Sequence, residues 1–543
     1  MASKQKLRGG FYTPEAIASF ILKWAVNGNK YYDVLEPSCG DGVFLEQIRE
    51  NDFECNSVTA VEIDKVEADK ARKINLPHSK VLNEDFYKFC NNTENRFDLV
   101  IGNPPYIRYQ YFDKDQRAGA ERIFERAEIK YSKLMNSWVS FVIGSSLLLK
   151  EKGKIGFVLP AEILQVSYAK QLRTFLARYY NKINIVSFRK LVFPHIQQEV
   201  VLLLCEKNGT DSHLIEHLEL EDASELERLD VRKLKSPKKH IDFKSNKWTF
   251  YFLEQEEIDF IETLLNQNTI KPIRHYAKVE VGMTTGFNKF FTVPSEIVEE
   301  YNLHDYVRPM VGRSVQVSSV IFNKTDWKDN VKAGARAYFI HFPSLKELKN
   351  NKRALDYIKE GEKAGIHKLY KTSIRDEWHT MPSVWISEAL FIRRNNIYPR
   401  FIINEAKAYT TDTMHRVMIR KDANLITGKP INIKALVASY YNSLSFAFAE
   451  ICGRSHGGGV LELMPNEVEN VLLPYNDKNA EILDKIDRML RSGKNIDDVL
   501  KITDKIILKQ NYGFSDYQIK LANRIWKKLL KRRLERNTPK LSQ

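Results

Sequence analysis

From residue 33 to residue 205 the chain alternates between short apolar runs and segments with helical spacing. "DVLEP" (33–37), "SVTAVEI" (57–63), "DLVIG" (98–102), "KIGFVLP" (154–160) and "EVVLLLCEK" (199–207) read as buried strands. Between them "GVFLEQIRE", "KVEADKARKI" and "NSWVSFVIGSSLLLKEKG" read as helices that stop at charged or glycine positions. Such alternation predicts an α/β fold built on a mostly parallel, doubly wound sheet. "IVSFRKLVFPHIQQEVVLLL" (185–204) reads as two strands joined by a loop, so the sheet is expected to end in an antiparallel edge.

The texture changes beyond residue 210. "HLELEDASELERLDVRKLKSPKKHIDF" is highly charged without a clear apolar face, and 211–245 is expected to be a charged linker or a peripheral segment. A second, α+β domain is expected over 246–543, rich in aromatic residues, with loop signals at "VGMTTGFNKFF" and "GRSHGGGVLELMP". At its end "DYQIKLANRIWKKLLKRRLERN" places Ile525 with Leu529, and Trp526 with Leu530 and Leu534, at four-residue spacing. That pattern predicts a basic amphipathic helix over about 516–537.

Charge refines the picture. The net charge of +15 points to an anionic partner. Residues 1–210 hold 30 basic against 25 acidic side chains and 518–543 hold nine against one, so only two of the fifteen surplus charges fall in the middle. Polyanion contacts in the middle must therefore come from local patches. The five cysteines are scattered with no CxxC pair, which argues against a disulfide framework or a cysteine zinc site; no metal is expected. No run of about 18 apolar residues or secretory signal is visible, so no membrane association and a cytoplasmic location are expected.

Candidate chemistry gathers at the strand ends. In "VLEPSCGDGVFL" (34–45), Gly40 and Gly42 allow close backbone approach and Asp41 adds an acceptor, although the turn reads equally as a tight strand-to-helix connection. Glu62, 22 residues after Gly40, suits a ribose diol, or is a solvated strand-end acid. In "NEDF" (83–86), Asp85 could accept from an adenine amino group while Phe86 covers the ring. Together these positions describe a pocket for an adenosine-bearing cofactor. "IGNPPY" (101–106) then sets the Asn103 side chain and the Pro104 carbonyl on a rigid turn, as two acceptors for the hydrogens of an aromatic amine. Holding both draws the nitrogen lone pair out of conjugation, and Tyr106 could stack on the base. A base inside a duplex must be flipped out to reach such a site.

"FYTPEAIASFI", "LEPSCGDGVF", "VEID", "EDF", "IGNPPY", "GKIGFVLPAEIL" and "VFPHIQQEVVLLL", in this order, resemble the TaqI-like, gamma-class N6-adenine DNA methyltransferases of restriction–modification systems. The likeness is strong over about 1–210, and "VGMTTGFNKFF" and "GRSHGGGVLELMPNEVENVLLP" are similar to stretches of that family's recognition domains. It implies a class I methyltransferase domain, Rossmann-like, followed by a DNA target-recognition domain. It implies S-adenosylmethionine (SAM) lying across Thr13, Glu36, Pro37, Ser38, Cys39, Gly40, Glu62, Ile63, Asp85 and Phe86, with Pro104 bordering both cofactor and target. It also implies that Phe193 joins Tyr106 around a flipped adenine; without the likeness Phe193 reads as a buried loop aromatic. The implied reaction is attack by adenine N6 on the sulfonium methyl, with no covalent enzyme intermediate. The implied partners are double-stranded DNA and a cognate restriction endonuclease, with the enzyme acting as a monomer and associated with the bacterial nucleoid while it acts.

Arginines of "VGRSVQ" (311–316), "FIRRNN" (391–396) and "GRSHGGG" (453–459) are candidates for base or phosphate contacts from loops. The terminal helix could clamp the DNA backbone or pack its Trp526 side on the domain. Alternatives to DNA methylation are transfer to a protein glutamine or to RNA, a bifunctional enzyme that also cuts DNA through an ExK arrangement at Glu405 and Lys407, and a DNA-binding scaffold with a dead methyltransferase fold. The start of the first motif at Phe11 is expected to leave no room for an N-terminal nuclease.

Overall fold

The computed structural model describes residues 12–25, 32–132, 135–190, 192, 199–210, 212–229, 239–241, 247–348, 351–423, 428–456 and 458–535. The chain divides into two compact units, Met1–Ile258 with Glu535–Gln543, and Asp259–Leu534.

The first unit is built on one nine-stranded sheet. Its strands are β1 (Tyr32–Glu36), β2 (Cys55–Glu62), β3 (Ser79–Asn83), β4 (Phe97–Gly102), β5 (Leu149–Pro160), β6 (Lys182–Phe188), β7 (Val200–Glu206), β8 (Leu214–Leu220) and β9 (Lys239–His240). They lie in the order β3-β2-β1-β4-β5-β7-β6-β8-β9. The first five run parallel, and β7 is antiparallel to both β5 and β6. The chain order reverses between β1 and β4, which opens a crevice at the C-terminal strand ends.

Burial on both faces explains why these strands read as continuous apolar runs. Val34, Leu99, Ile101, Leu202 and Leu204 pack in one cluster with the helices α1 (Glu15–Ala25) and α2 (Val43–Glu50). Leu35, Val100 and Leu203, which point the other way by the two-residue strand period, are also fully buried. α1 lies so close to β5 that a Cβ on Gly156 would sit 2.5 Å from Ile21 Cγ2. The helix α3 (Lys65–Lys73), after β2, adds Ala71 to that first cluster, whereas α4 (Phe86–Asn92), α5 (Lys114–Arg126) and α6 (Ser137–Leu147) converge where Gly144 meets Cys90, Ile123 and Phe86.

Two expectations need correction. The antiparallel strand does not form the edge: β7 inserts between β5 and β6, and β8 and β9 extend the sheet beyond them. The charged stretch 211–245 is not simply a linker, because Leu214–Leu220 pairs in parallel with β6 along its length. Ile215, Glu216 and Leu220 are buried while His217, Leu218 and Glu219 are partly so, so this strand is covered on both faces in spite of its two acidic residues. The unit boundary accordingly falls after Ile258.

In the second unit, strands β10 (Ala277–Val281), β11 (Ile321–Phe322), β12 (Ala389–Ile392), β13 (Phe401–Asn404) and β14 (Met414–Ile419) form a sheet in the order β10-β14-β12-β13-β11. The helix Asp516–Glu535 buries Ile525, Trp526, Leu529 and Leu530, and Trp526 meets Phe446 edge-on at 5.3 Å. Its Arg533 is buried on Glu450, with nitrogen–oxygen distances of 2.7 and 3.1 Å. The Trp526 side of this helix therefore packs within its own domain. Among the described residues no helix is long and apolar enough to cross a membrane.

Candidate active site

Four parallel strands end side by side at Glu36, Glu62, Asn83 and Gly102. After β1 the chain turns through Pro37–Gly42 into α2, with Gly40 at φ +55° and Gly42 at φ +97°. At Gly42 a side chain has no room: a Cβ would lie 2.5 Å from Ile74 Cδ1 and 3.1 Å from Ala71 Cα. At Gly40 a Cβ would meet nothing within 4 Å. Glu62 fixes the turn, since its carboxylate accepts from Gly40 N at 2.9 Å and Asp64 N at 2.8 Å. Asp85 caps α4 by accepting from Tyr87 N (2.7 Å) and Lys88 N (3.3 Å), and its other oxygen accepts from Gln116 Nε2 at 3.2 Å.

These loops enclose a cavity of about 710 Å³, within the range of small-molecule sites. All ten residues expected around SAM apart from Pro104 line it, Thr13, Glu36–Gly40, Glu62, Ile63, Asp85 and Phe86, and Asn103 lies on the same wall. Pro104 is buried and is not part of the lining; Pro105 takes that place. Phe86 is buried and stacks on Phe141, ring centroids 4.4 Å apart, whereas Ile63 is 59% exposed at the cavity's edge. Ile63 thus offers an open apolar surface to a planar ring.

The cavity is strongly acidic. Seven carboxylate side chains line it and no lysine or arginine does. Glu36 is buried, and its Oε2 has no hydrogen-bond partner among the described residues. Burial first, then the charges of Glu62 and Asp41, push its carboxyl well above the usual range. Burial likewise raises Glu62, against the two backbone N–H groups that lower it, and raises Asp41 with help from Glu67. The Cys39 thiol is pushed up by burial and by Glu36 and Glu62, so it stays a neutral wall. An orphaned carboxylate among other acids is the complement of a ligand that brings positive charge. SAM, with a sulfonium and an ammonium, fits this donor and acceptor set.

The turn Asn103–Tyr106 is joined to the loop after β1 and to α6. Ser38 Oγ donates to the Asn103 carbonyl at 3.3 Å. The Ser137 hydroxyl donates to the Pro105 carbonyl and accepts from Ile107 N at 2.9 Å, while Ser137 N donates to the Ile107 carbonyl at 2.8 Å. Asn103 Oδ1 accepts from the Tyr106 hydroxyl at 2.9 Å, and that hydroxyl also lies 3.1 Å from the Val158 carbonyl. The Pro104 carbonyl accepts no hydrogen bond among the described residues.

Residues 19–193 match the family described as Eco57I restriction-modification methylase, and residues 245–508 match the Type II methyltransferase M.Eco57I C-terminal domain. This chain belongs to the Eco57I-type restriction–modification methylases. Among curated relatives it is 24% identical over 523 residues to Type II methyltransferase M.AccI of Acinetobacter calcoaceticus, covering 92% of each chain. It is 31% identical over 210 residues to Type II methyltransferase M.TthHB8I of Thermus thermophilus, covering 37% of this chain and 45% of that one. Among solved structures it is similar to the DrdV–DNA complex, at TM-score 0.49 and 11% identity over 89% of this chain and 58% of that one. The methylase is thus a SAM-dependent DNA methyltransferase of the restriction–modification type.

Within this methylase Tyr106 makes contacts that the sequence reading did not anticipate. Tyr106 is half-buried: its ring packs against the buried cluster that includes α1, and its hydroxyl is engaged. Phe193 lies outside the described residues. Two residues that sequence reasoning passed over, Ser137 and Gln116, hold the Asn103–Tyr106 turn and Asp85 respectively. Ser137 opens the helix "SWVSFVIGSSL" and looks there like an ordinary small helix residue; only its contacts reveal it.

Proposed function

We propose that the methylase modifies adenine at N6 within a short DNA sequence, flipping the target nucleotide out of the duplex, and so protects host DNA from a cognate endonuclease. The observation that carries this reading is the pair of acceptors at the end of β4, the Asn103 side chain and the unengaged Pro104 carbonyl, next to an acidic cofactor cavity. Two acceptors match the two hydrogens of an exocyclic amine, and a Pro–Pro backbone keeps them preorganised. Bound in the cavity, SAM supplies an electrophilic methyl group. Asn103 and Pro104 hold the amine so that its lone pair leaves the ring's conjugation. The extra proton is lost after the nitrogen has become cationic, so no strong general base is needed. Thr13, Glu36–Gly40, Glu62, Ile63, Asp85 and Phe86 bind the cofactor, with Glu36 facing its positive charge. Tyr106 and Phe193 are assigned to the flipped base. The enzyme acts on double-stranded DNA as a monomer.

Of the alternatives, cleavage through Glu405 and Lys407 finds no support: Glu405 pairs with Lys434 at 3.4 Å and Lys407 sits in a left-handed turn at φ +51°. The test is methyl transfer from SAM to unmodified duplex DNA by purified protein, followed by nucleoside analysis. N6-methyladenine made by the wild type and lost in Asn103→Ala supports the reading. N4-methylcytosine, or methylation of protein or RNA alone, refutes it.

A further inference from the structure

The segments "FIRRNN" and "GRSHGGG", sixty residues apart and both expected as loops, meet in one small antiparallel sheet. Val460–Glu462 is its central strand, with Arg394–Asn395 on one side and Arg454–His456 on the other. The register sets Arg394 and Arg454 directly opposite Glu462, and strand alternation puts His456 on that same face.

Glu462 is nearly buried and organises this face. Its Oε1 accepts from Arg393 Nε at 3.0 Å and Arg394 Nε at 3.1 Å, and its Oε2 lies 2.9 Å from His456 Nε2. Burial pushes the Glu462 carboxyl up, but these cationic and hydrogen-bonding neighbours outweigh it and hold the group below its ordinary value. The arginines then differ in what remains available. Arg393 has a side chain 23% exposed and also reaches the Asp412 carbonyl, and Arg454, at 24%, is tied to Glu467 at 2.8 Å. The Arg394 side chain is 68% exposed, and its two terminal nitrogens make no hydrogen bond among the described residues.

A guanidinium clamped through Nε on a buried carboxylate, with both Nη groups turned loose, is a preorganised fork. Its geometry matches two acceptors side by side, as O6 and N7 of guanine present them in the major groove. Arg313 is exposed as well, but it has no comparable ion pair among the described residues. We propose that Arg394, buttressed by Glu462, reads a guanine in the recognition sequence. This inference rests on the reading of the chain as a sequence-specific DNA methyltransferase. It assigns the specificity to a strand of the small sheet, where a loop had been expected.

The test is selection from a pool of randomised duplex DNA by the full-length protein, run in parallel with Arg394→Ala and Arg394→Lys. The wild type should enrich a motif containing guanine. Both variants should lose the preference for one guanine by about tenfold to a hundredfold, while every other position keeps its preference. An unchanged motif in both variants overturns the proposal. So does an even weakening at all positions, which would mark a phosphate contact, and so does a wild type that enriches no motif. Because selection reads binding alone, its outcome is separate from that of the methyl-transfer assay.

Discussion

The Tyr106 hydroxyl donates to Asn103 Oδ1 at 2.9 Å, so the side-chain acceptor assigned to the target amine already has a donor. A second lone pair remains on that oxygen, but the phenol competes for the geometry. Removing only the hydroxyl should therefore leave turnover within about threefold of wild type, because stacking depends on the ring. Removing the ring should cost more: Tyr106→Ala is expected to lower kcat/KM by about ten- to a hundredfold, the usual scale for losing a base stack. Steady-state methylation of a duplex containing the recognition site separates the two. Equal loss in Tyr106→Phe and Tyr106→Ala would place the role in the hydroxyl instead.

Ser137 holds the turn that carries Asn103 and Pro104 through Pro105 and Ile107. Ser137→Ala should lower stability by about 1 kcal/mol through the lost hydrogen bonds. It should also lower kcat by about tenfold or more, because the acceptors lose their positioning. Ser137→Thr, which keeps the hydroxyl, should recover part of the rate. SAM affinity measured by calorimetry should change much less than kcat.

Glu36 carries a prediction about pH. Its carboxyl is raised in the folded, ligand-free protein, so burying it costs stability progressively as pH climbs from the ordinary carboxylate range to the raised value. A cationic ligand favours the ionised form, so SAM binding should release a proton and tighten with rising pH across that same window. Glu36→Gln should weaken SAM binding by about tenfold and flatten this dependence. Calorimetry in buffers of different ionisation enthalpy reads both effects. An unchanged affinity with the same pH slope would separate Glu36 from the cofactor.

The two glycines of the cofactor turn should fail differently. Gly42→Ala forces a Cβ against Ile74 and Ala71 at a positive φ, and should destabilise the domain by about 1–3 kcal/mol. Gly40→Ala meets open space, so it should cost about 1 kcal/mol of backbone strain and lose SAM affinity out of proportion to stability. Thermal unfolding with and without SAM distinguishes them.

Much of this site is legible in the sequence because each of its parts sits where a strand pattern ends. Glu36, Glu62, Asp85 and Asn103 each follow an apolar run, and a parallel sheet must bring such ends together. Strand β8 was hidden because "LIEHLEL" lies within a longer charged stretch and one of its two acids, Glu216, is itself buried. The Arg394 sheet was hidden for another reason. Its strands are two and three residues long, too short for any periodicity, and pairing between segments distant in sequence leaves no local trace. Ser137 shows the same limit for a single side chain, since its partners lie thirty residues earlier on another element.

The central claim, that the acceptors after β4 serve adenine N6 transfer at a defined DNA sequence, is tested most directly in cells. Single-molecule sequencing of DNA from a methylation-free host expressing the protein reports the modified base and its sequence context together. The account predicts N6-methyladenine at one short motif, absent from a host expressing Asn103→Ala at equal level. Unmodified DNA alongside folded, SAM-binding wild-type protein, or methylation that survives Asn103→Ala, would contradict it.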